Sequence, residues 1–266
     1  MNKTIHCIGD SHASFFSGRN TIQPAWPGTA NDSIPSFRSY RLGAVLAYNL
    51  SEKNTTSGGG EKLISLLESL PKHSTILLSF GEIDCRVHLV KQSIKQNRSL
   101  REIAEENADR YFGVIKKIKT DFNVIVWATI PSTSSEITLD HRYPVCGTNI
   151  ERNTVTKLFN EKLSELCTQE GITFISIFEN ITKPDGSTNG TFYIDGVHLS
   201  QRAMPLAVEA ISKQVPSMEL QLLNFGLGRL PLKYQIPLLK IKSEISILLY
   251  HLNKKARTIA KMLLRR

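Results

Sequence analysis

Apolar residues along this chain fall into two kinds of run. Short continuous blocks at 4–8, 75–80, 123–130 and 172–178 have the length and β-branched content of buried strands, and the first three end at Gly9, Gly81 and Pro131. Between them, apolar positions recur every three or four residues over 42–50, 61–70, 100–119, 153–167 and 200–215, which predicts helices. Ser200 suits the N-cap of the last of these, Gly171 the stop after 153–167, and Pro216 closes the body. The segments 18–36, 131–149 and 183–189 are rich in Pro, Gly, Ser and Asn and read as loops; 131–149 is long enough to suggest a working loop. Strands alternating with helices imply a parallel sheet covered on both faces, with ligands at the carboxyl ends of the strands. The turns around Ser11, Gly81 and Pro131 are therefore where chemistry is expected. A final stripe, Leu238, Ile241, Ile245, Leu248, Leu252, Ala256, Ile259 and Leu263, marks one face of a long helix.

With 266 residues, the chain suits one α/β domain over 1–217 and a helical tail over 218–266. No leader-like or membrane-spanning apolar stretch is present, which leads to the expectation of a cytoplasmic protein with its four cysteines reduced. Charge is unevenly distributed. Residues 225–266 hold ten Lys and Arg against the single acid Glu244, while the rest of the chain is balanced. A neutral body argues against a nucleic-acid partner. The basic tail suits an anionic membrane surface, a protein partner, or packing on the body or on a second copy. Neither metal-ligand spacing nor a glycine-rich phosphate loop occurs, so no metal and no cofactor are expected.

Two short motifs carry candidate chemistry. Gly9-Asp10-Ser11-His12 puts a serine on the turn after the first strand, where its hydroxyl is exposed and its N–H faces a developing oxyanion; capping of the next helix is the alternative role. Asp195-Gly196-Val197-His198 spaces a carboxylate and an imidazole three residues apart, so the carboxylate can orient the ring and leave Nε2 free for a serine; a surface Asp-Gly turn has the same spelling.

Together, these motifs at opposite ends of an alternating α/β chain resemble the SGNH/GDSL hydrolases, from about Thr4 to Val215. The resemblance implies a flavodoxin-like three-layer α/β/α sandwich with a central parallel sheet, to which the C-terminal helical tail is added. It also implies a Ser11–His198–Asp195 triad, with the N–H groups of Ser11 and Gly43 as the oxyanion hole. The family's Gly-x-Asn-Asp block reads Gly81-Glu82-Ile83-Asp84 here, and Ile83 cannot donate as the asparagine would. Asn149, Arg142 and Arg86 are conceivable substitutes. Asp84 with Arg86 can also brace the loop as an ion pair, Glu82 can meet substrate hydroxyls or face solvent, and His12 can line the pocket or pack. The implied activity is a serine esterase acting on a small-molecule or glycan ester, above all an O-acetyl group on a carbohydrate. Acyl transfer to a surface glycan by the same triad is the second reading, and an inactive glycan-binding module, suggested by Ile83, the third.

Overall fold

The computed structural model describes residues 4–133, 144–223 and 230–263. Five parallel strands form one sheet in the order β2-β1-β3-β4-β5, with β1 Ile5–Gly9, β2 Phe37–Arg41, β3 Thr75–Ser79, β4 Asn123–Trp127 and β5 Thr173–Ile175. This is the doubly wound order of the flavodoxin-like sandwich. Side chains alternate across the strands, so Ile76, Leu78, Val124 and Val126 enter one core and Leu77, Ile125 and Trp127 the other. The first core is closed by α1 Gly59–Ser69, α3 Leu100–Lys119 and α4 Asn149–Gln169. The second is closed by the 3-10 turn Ser11–Ser17, through Phe15 and Phe16, and by α6 Met204–Gln214. A short α2, Val90–Gln96, and α5, Phe178–Ile181, complete the layers.

Local chemistry sets the starts of the two longest helices of the body, α3 and α4. Ser99 accepts from the N–H of Glu102 while the Glu102 carboxylate takes the N–H of Ser99, and Thr148 with Glu151 repeats this capping box, starting α4 four residues before the position expected. Ser200 makes no side-chain cap; a 3-10 turn, Gln201–Ala203, leads into α6 instead.

Two parts of the apolar pattern read differently in three dimensions. The strand Phe37–Arg41 is not marked by a continuous apolar run, because β2 is an edge strand whose residues are only alternately buried. The segment 42–50, expected as a helix, is a loop with a single 3-10 turn at Ala47–Asn49. Gly43 sits at φ +108, outside helical geometry, and the Asp84 carboxylate takes the N–H groups of Ala47 and Tyr48 at 2.8 and 3.2 Å.

The tail follows the expected helix, as α7 Leu232–Leu263. Residues Met218, Leu220 and Leu222 are buried in the second core together with Leu239 of α7, and Gln235 caps the Leu222 N–H. From His251 to Lys261 every residue is exposed.

Candidate active site

The strand register builds the site. Gly9 pairs with Arg41 on one side and Ser79 on the other, so Ser11, Gly43 and Gly81 each lie two residues beyond a matched row at the carboxyl edge. Gly9 allows this closeness: a Cβ there would lie 2.1 Å from the Ser79 carbonyl oxygen, and the next N–H, that of Asp10, donates to that same oxygen. Gly81, at φ +107, is equally constrained, since its Cβ would press on the Thr129 hydroxyl and the Phe159 ring.

Asp10 does cap the turn that Ser11 opens, through the N–H of His12 at 2.8 Å, and this leaves the Ser11 hydroxyl unused by the cap. Opposite it, Asp195 Oδ1 accepts the N–H groups of Val197 and His198, and Oδ2 lies 2.8 Å from His198 Nδ1. An antiparallel bridge between Tyr193 and Leu199 closes this loop, and the Tyr193 hydroxyl and Thr133 side chain tie it to the chain following β4. The result places His198 Nε2 2.8 Å from Ser11 Oγ. Burial alone would raise the Asp195 pKa, but the hydrogen bonds and charge of His198 and the two N–H groups hold it below the ordinary carboxylate value. The three residues thus have the spacing of a nucleophile, a base and an orienting carboxylate.

A second charged chain lies directly behind. His12 Nε2 is 3.2 Å from Glu82 Oε2, and Arg86 Nε is 2.6 Å from Glu82 Oε1. The His12 ring lies obliquely against that of His198, with centroids 4.9 Å apart. Glu82 is buried; burial would raise its pKa, yet His12 and Arg86 hold it down to about 2. Burial would lower His12, but Glu82 and Asp10 outweigh it and its pKa is raised. Asp10, fully buried and with Oδ2 unpartnered, is pushed up to about 7, chiefly by burial. The pairing Glu82–Arg86 was not the one read from the sequence, which set Arg86 with Asp84. Asp84 instead turns inward, where Asn107 and the 47–48 N–H groups surround its carboxylate. Glu82 is thereby engaged on both oxygens.

Ile83 is buried and lines none of the cavities at the site. Asn149 is bonded to the Ser132 carbonyl, and Arg142 lies outside the described residues. Sequence reasoning missed Asn153 and Asn160 of α4: Asn160 brackets both backbone groups of Thr129, and Asn153 fixes Ser132 and Gly186. Their spacing of seven on one helix face was the available signal. Beside Ser11 a small cavity is lined by Ser14, Arg19, Thr21, Ile22 and Ile194.

No family model and no curated protein matches the sequence. Solved structures do match. The native aryl esterase of M. smegmatis is 17% identical, with 81% of this chain and 99% of that chain covered and a TM-score of 0.52. Its inhibitor-bound form matches at 16% identity, the same coverage and a TM-score of 0.52. A carbohydrate acetylesterase from Sinorhizobium meliloti matches at 17% identity, over 82% of this chain and 100% of that chain, with a TM-score of 0.49. At these identities the likeness is one of fold, and the chain has the α/β/α sandwich that its motifs led one to expect.

Proposed function

We propose that this protein is a serine esterase and that its substrate is a short O-acyl group, acetyl above all, on a carbohydrate. The observation that carries the reading is the continuous contact from Asp195 through His198 to Ser11, 2.8 Å at each step. In the first step His198 Nε2 takes the Ser11 proton as Oγ attacks the ester carbonyl, and the resulting imidazolium is stabilised by Asp195. The negative charge on the carbonyl oxygen is met by the N–H groups of Ser11 and Gly43, neighbours through the Gly9–Arg41 register. His198 then protonates the leaving alcohol. A water, deprotonated by the same ring, releases the acid and restores Ser11.

The short acyl group is supported by the size of the cavity beside Ser11, about 10 Å³, room for little more than one water-sized group. The polar residues Ser14, Arg19 and Thr21 around it suit a hydroxylated alcohol portion. Ile83 leaves the oxyanion with backbone donors at this edge; loss of one side-chain donor typically lowers turnover by about 10²–10³. A slow enzyme is therefore expected on simple activated esters. Hydrolysis of acetylated sugars and of nitrophenyl acetate against nitrophenyl octanoate tests the reading. Acetyl should exceed octanoyl by at least about tenfold in kcat/KM, and a preference for the longer chain would overturn the short-acyl assignment.

A further inference from the structure

The helix α7 has two faces with opposite fates. Gln235, Leu239, Ser243 and Ile247, four residues apart, are buried against the body. Asn20 Nδ2 donates to Ser246 Oγ, and Arg202 holds both oxygens of Glu244. At about 100° per residue, Leu238, Ile241, Ile245, Leu248, Leu252 and Ile259 form a single stripe roughly opposite that docked face. Each of the six is 40–61% exposed. A surface this apolar and this continuous is not ordinary solvent-facing sequence.

Charge selects what covers it. Beyond Glu244 the helix has no acid, and Glu244 is already neutralised by Arg202. Among the described residues no carboxylate pairs with Lys254, Lys255, Arg257 or Lys261, all of them exposed. A second copy docked stripe to stripe would add another helix with no acid beyond Glu244 and so offers these cations no opposite charge. An anionic bilayer surface satisfies both features, taking the stripe into the headgroup–acyl boundary and attracting the uncompensated positive charge of the helix's polar face. Among the described residues no helix is long and apolar enough to cross a membrane, so the contact is parallel to the surface.

We propose that α7 docks this protein on anionic membranes, stripe inward, with the body held on the helix's other face. The mooring is close to the chemistry: Asn20, which bonds α7, adjoins Arg19, Thr21 and Ile22 of the cavity beside Ser11. The inference does not depend on the esterase reading.

Co-sedimentation of the full-length protein with vesicles of phosphatidylcholine alone, and of phosphatidylcholine with phosphatidylglycerol, tests it. Binding is expected only with the anionic lipid and should weaken at least tenfold with added salt. The variant Ile241→Asp/Ile245→Asp/Leu248→Asp should lose binding. So should Lys254→Glu/Lys255→Glu/Arg257→Glu, whose positions are exposed. An unchanged circular dichroism spectrum and thermal midpoint would accompany the loss. Absence of binding by the full-length protein, binding unaffected by the charge variant, or a lipid-free dimer broken by the stripe variant would overturn the proposal.

Discussion

Glu82 lies between two basic side chains at once, His12 at 3.2 Å and Arg86 at 2.6 Å, and His12 in turn rests against His198. His12 and Glu82 are buried and Arg86 is half-buried, and the row meets the His198 ring through His12 while remaining outside the Ser11–His198–Asp195 line of contacts.

Removing the central carboxylate should therefore be costly. Glu82→Gln leaves the half-buried Arg86 without its counter-charge and is expected to lower stability by up to about 3–5 kcal/mol. Arg86→Met in the same chain should recover a substantial part. Urea unfolding of the two single variants and the double variant measures this coupling; additive losses would mean that the two side chains do not act as a pair.

Asp84 fixes the loop bearing Gly43 through the N–H groups of Ala47 and Tyr48. Asp84→Ala strands these donors and Asn107, at about 1–3 kcal/mol for each unsatisfied group, and should also lower kcat through the displaced Gly43. Asp84→Asn keeps one acceptor and should be milder in both respects. Steady-state kinetics of the two variants checks the order, and equal, undiminished kcat values would detach Gly43 from catalysis.

Asp10 gives a pH dependence with a defined sign. Its carboxyl is raised from 3.8 to about 7 in the fold, so between those values the folded state holds a proton that the unfolded state releases, and stability falls as pH rises. His12, with its pKa raised, loses its contribution in the same direction at higher pH, whereas Glu82 loses its contribution only as pH falls from 4.5 towards 2. Asp10→Asn keeps an oxygen for the His12 N–H but cannot ionise. It should flatten the decline from about pH 4 to 7 and be more stable than the parent at pH 8, by about 1–4 kcal/mol. Denaturation midpoints across this range measure the slope, and an undiminished decline would show that Asp10 carries its charge in the fold.

What could be read from the sequence was what local order determines. Gly9-Asp10-Ser11 follows a short buried strand, and Asp195 to His198 is a turn whose hydrogen bonds are internal, so both ends of the site were visible as motifs. The 42–50 segment misled because its apolar spacing is helical while its conformation is set by Asp84, 37 residues away from Ala47. The Glu82–Arg86 pair escaped for a related reason: the chain after Ile83 winds as a π-helical turn, Asp84–Leu89, which turns Asp84 inward and leaves Glu82 to Arg86. Edge strand β2 carried too little continuous apolar pattern to announce itself.

Catalysis by Ser11 is tested most directly by intact-mass and peptide analysis after treatment with a fluorophosphonate, which labels only an activated hydroxyl. The account predicts one adduct, located on Ser11, absent from Ser11→Ala and slowed by at least about 10³-fold in His198→Ala, with Asp195→Asn retaining more reactivity than His198→Ala. A folded protein that takes no label, or a Ser11→Ala variant that is labelled and still hydrolyses esters, would contradict it.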